Sequence, residues 1–257
     1  MAQPYELEPV DDTPSAPAGV VVRPSPEEAL EAAATDLYLH AMNCVRAFGD
    51  FNLALSGGRT PVRLYQMLML DPQYRAFPWK RTHLWLTSER LAGDDRGANS
   101  LLLRDLIAHH SGLPREQFHP FDPDADASAY ARELAETLAW REPGHDRLDY
   151  VLLGIGAGGS TAGVREARHM NERDLVHHAG EGDHRHLSLG VRAINGARLV
   201  AVLAFGQDKH PDVSRAITPT NGTNGTPAST PIERVRPVGG ELRWYLDKAA
   251  FSGQAPA

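Results

Sequence analysis

Residues 149–164, DYVLLGIGAGGSTAGV, constrain the fold of this chain more than any other segment. Tyr150, Val151, Leu152 and Leu153 suit a strand buried on both faces, as in the parallel sheet of an α/β protein, and Gly154, Gly156, Gly158 and Gly159 then end it. A glycine loop after such a strand leaves backbone N–H groups able to meet a ligand. It brings no base of its own, because no Asp, Glu, His, Lys or Cys stands between Gly154 and Thr161. Gly154, Gly156 and Gly159 also satisfy the dinucleotide pattern G-x-G-x-x-G, which calls for an acid at the end of the next strand about 20 residues on. Asp174 has that distance but lies in NERDLVHH, which does not read as a strand terminus, so no nicotinamide, flavin or other cofactor is expected.

The rest of the chain alternates in the same α/β sense. Residues 20–22 form a short strand candidate, and Ser25-Pro26-Glu27-Glu28 is a capping box that opens a helix to about Phe48. Strands are expected at 51–55, 83–86, 187–189 and 199–204, with a short one at 233–236. Helices are expected at 61–70, 127–140 and 211–217, at 100–110 with Asn99 as its cap, and at 241–250 to close the chain. Residues 165–185 carry no readable pattern. The expected architecture is one Rossmann-like α/β domain over 19–251, a mainly parallel sheet flanked by helices. A loose arm over 1–18 and a loose tail over 252–257 flank it. Residues 218–230, TPTNGTNGTPAST, read as an exposed low-complexity loop whose sequons at Asn221 and Asn224 are simply Asn-Gly turns.

Charge and cysteine content narrow the function. Lys and Arg number 26 against 33 Asp and Glu, a net charge of −7 that gives no reason to expect nucleic acid or an anionic membrane as partner. The lone Cys44 excludes an internal disulfide framework and reads as a packed thiol in a helix. The acidic opening MAQPYELEPVDD lacks the basic and apolar regions of a signal peptide, and no later stretch is apolar enough to span a bilayer. A soluble cytoplasmic protein is therefore expected.

Several positions suit chemistry. Ser56-Gly57-Gly58-Arg59-Thr60-Pro61 ends a strand and begins a helix, presenting hydroxyls and N–H groups as a phosphate cradle does, though a tight turn without ligand has the same sequence. Glu89-Arg90 follows a strand directly, and Lys209 lies just past another, so both reach the carboxyl edge where open α/β sheets bind ligands. His184 and His186 could share a face and ligate a metal, but no carboxylate or Cys completes a set. No metal is expected there, nor at His109-His110 or His177-His178.

Together these pieces resemble the 6-phosphogluconolactonase family, within the group that includes glucosamine-6-phosphate isomerases and deaminases, over about residues 20–250. FNLALSGGRTP resembles the family's strand and phosphate loop, and WLTSERL sits where it has Asp-Glu-Arg, followed by Ala98-Asn99 and Arg104. DYVLLGIGAGGSTAGV is similar to its Gly-x-Gly-x-Asp-Gly-His-Thr-Ala stretch and Phe205-Gly206-Gln207-Asp208-Lys209 to its Gly-x-x-Lys. Thr226-Pro227-Ala228-Ser229 and LRWYLDKAA resemble its end. The resemblance implies hydrolysis of a phosphorylated sugar lactone, with the His of Asp-Gly-His-Thr as general base. Here the Asp and His positions are Gly158 and Ser160, the Asp of Asp-Glu-Arg is Ser88, and an Arg before the family's Thr-Leu strand aligns with His186, with Arg185 next door. Ser56, Gly57, Gly58, Thr60 and Lys209 remain for the phosphate, and Asn99, Gly156, Gly159, Ser160 and Thr161 complete the expected phosphate- or substrate-binding set. A neutral serine hydroxyl does not take a proton from water, and general base catalysis is worth about 10² to 10⁴ in rate. The expectation is a binder of a phosphorylated sugar or lactone with impaired or lost hydrolysis. Two alternatives stay open: an active lactonase in which Arg90 stabilises the oxyanion and His186 or Glu89 is a displaced base, or a non-catalytic regulatory or interaction protein.

Overall fold

The structure, a computed structural model, describes residues 16–94, 96–122, 124, 126–218 and 228–254. Residues 1–15 of the arm read over 1–18, both sequons and Thr226-Pro227 lie outside these residues. In chain order, β1 (Val20–Arg23) leads through α1 (Pro26–Phe48) to β2 (Phe51–Leu55) and α2 (Val62–Leu70). Next come β3 (Thr82–Leu86), β4 (Ser88–Arg90), α3 (Ala98–Leu103), β5 (Phe118–His119) and α4 (Ala127–Leu138). The second half holds β6 (Tyr150–Gly154), β7 (Val176–Ala179), β8 (His186–Leu189), α5 (Val191–Asn195), β9 (Leu199–Ala204), α6 (His210–Ile217), β10 (Glu241–Asp247) and α7 (Lys248–Ser252).

Seven strands form one sheet in the order β1-β10-β9-β6-β2-β3-β5, every neighbouring pair parallel. Its middle strands are the apolar runs of the sequence: β2, β3 and β9 are buried along their whole length, as a sheet covered on both faces requires. α1 packs on α2 and on β1, β2 and β10. Its start is set by Ser25, whose Oγ accepts from Glu28 N at 3.2 Å and donates to the Glu28 carboxylate at 2.9 Å, and its end by Gly49 at φ 89°. Cys44 lies buried on this helix, its thiol pushed up to about 12, first by burial and then by Asp149. Among the described residues no helix is long and apolar enough to cross a membrane.

A second sheet, antiparallel and in the order β4-β8-β7, stands beside the first. It holds the strand expected at 187–189 and one that no pattern announced. Residues 187–189 are a strand but belong to this small sheet, and the unreadable stretch 165–185 contains its edge strand β7. Two hydrogen bonds tie the sheets together: Thr87 N donates to Leu55 O at 3.0 Å, and Leu189 N donates to Thr87 O at 2.9 Å.

Other expectations fail for identifiable reasons. Residues 241–250 are not a helix: β10 occupies Glu241–Asp247, and α7 follows only from Lys248. The strand is held between β1 and β9, and Arg243 and Tyr245, two apart on one strand face, both reach Asp36 of α1 at 3.1 and 2.7 Å. The short strand expected at 233–236 is a 3₁₀ turn at Pro231–Arg234. Helix α3 begins at Ala98, so Asn99 lies inside it. Its orphan N–H groups are capped instead by a carboxylate from β4, and the expected continuation to His110 winds as a π turn over Arg104–Ala108.

Candidate functional site

From β2 the chain proceeds to β3 and β5 on one side of the sheet, and from β6 to β9 and β10 on the other. The crevice outside the carboxyl ends of β2 and β6 is therefore the topological switch point, where open α/β sheets bind ligands. The β2–β6 ladder is short, pairing Leu53 with Tyr150 and Ala54 with Val151 before the strands part. Ser56 closes the gap. Its Oγ donates to Leu152 O at 2.7 Å and so accepts from the Thr87 hydroxyl at 2.9 Å, while Tyr65 OH donates to Ser56 O at 2.5 Å. The Ser56 hydroxyl thus joins two strands, whereas Gly58 and Thr60 are exposed at the crevice.

Gly57 is pinned by close approach. A Cβ there would stand 1.7 Å from Asn99 Oδ1, so only glycine lets the asparagine lie against the loop. Asn99 Nδ2 donates to Ser88 O at 2.8 Å. Glu89 is fully buried, and its carboxylate accepts from three backbone N–H groups: Arg90 at 2.9 Å, Asn99 at 3.1 Å and Ser100 at 2.6 Å. These bonds cap α3 and fix Asn99, so the acid that the sequence offered as a base holds the loop scaffold.

The glycine loop after β6 turns through a 3₁₀ segment, Ala157–Gly159, and no α-helix follows. A dinucleotide motif requires that helix, and Asp174 sits in a turn with Asn171 rather than at a strand end. Gly156 N donates to Ser160 O at 2.8 Å, and Ser160 Oγ lies 2.3 Å from where a Gly156 Cβ would stand. Gly158, at φ 65°, has no atom within 4 Å of a Cβ position. Gly159, at φ 71°, is pressed against Thr230. Thr161 Oγ1 donates to Gly154 O at 2.8 Å, and Thr161 bridges to Val164 to close the loop. Between them Ala162 takes φ 47°, a left-handed conformation that costs an alanine about 1–2 kcal/mol, held by Ser188 Oγ donating to Ala162 O at 2.7 Å.

The loop ends against His186. A Cβ on Gly163 would stand 2.8 Å from the imidazole Cδ2, so the ring packs on the glycine backbone. β8 begins at His186, directly opposite Arg90 in the β4–β8 register, while Arg185 is exposed outside the strand. His186 Nδ1 lies 2.8 Å from His184 O. A carbonyl only accepts, so Nδ1 carries the proton and Nε2 the lone pair. Burial first, then the charges of Arg90 and Arg165, hold this histidine below its ordinary value, against the opposing pull of the His184 carbonyl and Glu89. Lys209 lies beyond β9 on the same carboxyl edge, its Nζ 2.9 Å from the exposed Asp208 carboxylate. Gly206, just before it at φ 92°, donates its N–H to Asp247.

Close contacts and hydrogen bonds thus link Gly57 to Asn99 and, through it, to Glu89 beside Arg90, and Gly163 to His186 opposite Arg90, while Lys209 follows β9. Thr87, Thr230, Gly163 and Arg165 were missed in the sequence. Arg165 carries a usable signal, a cation immediately after a glycine loop. The others act through packing that no local pattern records. Among the described residues no three His, Cys, Asp or Glu side chains group as metal ligands.

Comparison with known proteins agrees with this architecture. A model of the family described as glucosamine-6-phosphate isomerases/6-phosphogluconolactonase matches residues 24–244. The chain is 31% identical to the 6-phosphogluconolactonase of Synechocystis sp. PCC 6803, over 81% of this chain and 86% of that protein. It is 36% identical to the human GDH/6PGL endoplasmic bifunctional protein over 88% of this chain, and the match spans only 29% of that longer protein. The 6-phosphogluconolactonase of Trypanosoma cruzi superposes with a TM-score of 0.74 at 23% identity, covering 93% of this chain and 97% of that one. That of Thermotoga maritima gives 0.72 at 20% identity, covering 89% and 99%. The chain belongs to the glucosamine-6-phosphate isomerase/6-phosphogluconolactonase family.

Proposed function

We propose that the crevice between β2 and β6 binds a phosphorylated sugar or its lactone, and that lactone hydrolysis is impaired or lost. The observation that carries this reading is the glycine loop itself: it lies at the switch point, yet the positions that would bring an acid and an imidazole are an open Gly158 and a Ser160 folded back over Gly156. Gly58, Thr60 and Lys209 supply N–H, hydroxyl and ammonium donors for the phosphate. Asn99 and Thr161 line the sugar side, and Arg90 is placed for a carbonyl oxygen as it gains charge. Ser56 acts behind them as the clasp between the strands.

Lactone hydrolysis measured against the spontaneous background, alongside calorimetric titration with 6-phosphogluconate, tests both halves. Binding with turnover at or near background is expected; an ordinary enzymatic rate would overturn the impaired reading, and absence of binding would overturn the ligand. One observation favours a second reading, an active hydrolase with a substituted base: the neutral His186 offers Nε2 beside the loop. Turnover that disappears in His186→Gln while binding persists would select it.

A further inference from the structure

We propose that Ser188 is a positioning residue for the glycine loop: by holding Ala162 in its left-handed conformation, it keeps the stretch from Gly156 to Thr161 in its binding shape. The inference rests on the phosphosugar reading above and adds what sets the loop. Residues Thr161, Ala162, Gly163 and Val164 form a tight turn closed in both directions. Val164 N donates to Thr161 O at 2.8 Å, and Thr161 N donates to Val164 O at 3.1 Å. The two central residues have φ 47° and 74°, the pair of positive signs that a type I′ turn requires. Turns of that type favour Asn-Gly or Gly-Gly, and the second central position here is the glycine they call for. The first is an alanine, whose Cβ crowds the following carbonyl in the left-handed region. The local sequence does not choose this shape, so contacts from outside the turn must hold it.

The small sheet supplies those contacts. Ser188, fully buried in β8, donates to Ala162 O at 2.7 Å. Its oxygen also lies 3.1 Å from Leu189 O, but a hydroxyl has one proton and the shorter contact takes it. Next to Ala162, Gly163 lies against His186 of the same strand, and Val164 is buried with Met170, Ala179 and Val191. The loop is also fixed to the large sheet, where Thr161 Oγ1 donates to Gly154 O at the end of β6. Without the Ser188 hydroxyl, the Ala162 carbonyl loses its donor and the alanine can leave the left-handed region. Thr161, its neighbour in the chain, then moves with it. The fraction of molecules with a binding-ready loop falls, and the apparent affinity falls in proportion.

Calorimetric titration of the whole protein with 6-phosphogluconate, in wild type, Ser188→Ala, Ala162→Gly and the two combined, closes a double-mutant cycle. Ser188→Ala is expected to bind about tenfold more weakly, with the strain of one left-handed alanine setting the scale. In the Ala162→Gly background the same change should cost less than about twofold, because glycine enters the left-handed region freely. A serine that only fills space would give equal losses in both backgrounds, and equal losses overturn the proposal. So does a Ser188→Ala protein that binds as wild type does. Hydrogen exchange at Val164 N–H, a donor that closes the turn, reads the same cycle without any ligand. Exchange should quicken in Ser188→Ala and return toward the wild-type rate in the combined variant. An unchanged rate in Ser188→Ala, or a combined variant that exchanges as fast as Ser188→Ala, refutes the role given to Ser188. Should wild type bind no 6-phosphogluconate, the phosphosugar reading falls, and hydrogen exchange alone decides whether Ser188 holds the turn.

Discussion

If the missing base is what limits hydrolysis, returning it should restore hydrolysis. The variant is Gly158→Asp with Ser160→His. Position 158 has room, since no atom lies within 4 Å of a Cβ there, and its φ of 65° is one that Asp tolerates better than most residues, at a cost of about 1 kcal/mol. Position 160 is extended, with φ −64° and ψ 142°, and imposes no strain on histidine. Its side chain leaves over Gly156, where the absence of a Cβ lets the Ser160 hydroxyl lie against the loop. A positioned general base is worth about 10² to 10⁴ in rate, or roughly 2.7 to 5.4 kcal/mol of barrier at 1.36 kcal/mol per decade. The strain at 158 falls on stability, so the gain in rate should survive. Hydrolysis is followed by acid release in weak buffer at pH 7, against spontaneous opening of the lactone. The double variant should exceed its parent by at least about a hundredfold, with a rate that rises with pH through the imidazole range near 6.5. A folded variant that binds 6-phosphogluconate as its parent does but gains nothing would refute the reasoning that the loop base is what this chain lacks.

Three other outcomes follow from the geometry. Asp149, fully buried at the amino end of β6, accepts from Arg141 at 2.6 and 2.8 Å, Arg198 at 3.0 Å and Asn52 N at 2.7 Å. Asp149→Asn should cost about 3–5 kcal/mol in chemical denaturation, by leaving the half-buried Arg198 without its carboxylate and Arg141 with only Asp50, and should leave ligand affinity unchanged. His83 and His119 are both buried, joined at 3.1 Å, and held below the ordinary value, first by desolvation; Glu133 at 2.6 Å from His119 Nδ1 only partly offsets this. Their contribution to stability is complete above the unfolded value near 6.5 and is lost as pH falls toward the folded one, because the unfolded chain takes protons that the fold refuses. Thermal midpoints should therefore decline between about pH 6.5 and 5, and a flat profile would contradict this; replacing both residues by Gln should flatten it. Lys209→Ala removes a pair with the exposed Asp208 that solvent screens, so stability should hardly move while phosphosugar affinity drops about tenfold or more. Equal affinity would take Lys209 out of the cradle.

How much of this was legible in the sequence depended on whether the deciding physics was local. β6 and β9 announce themselves because a strand buried on both faces is apolar throughout, and α1 because Ser25 and Glu28 satisfy each other within one turn. β10 did not, because ELRWYLDKAA has apolar spacing that also fits a helix, and only its places beside β1 and β9 decide between them. Ser56 and Glu89 were found as polar residues at the right edge of the sheet. Whether a hydroxyl meets a ligand or a neighbouring carbonyl, and whether a carboxylate takes a proton or caps a helix, is a matter of burial and partners far along the chain. The empty base position could be read because it is an absence within one loop. What surrounds that emptiness could not, because it comes from β8 and is governed by register. In an antiparallel pair a slip of one residue exchanges the faces, so the same sequence shifted by one would set Arg185 against the glycine loop in place of His186. Which of the two side chains meets the glycine loop is thus decided by a single step of pairing, set by the antiparallel ladder with Arg90 rather than by any motif.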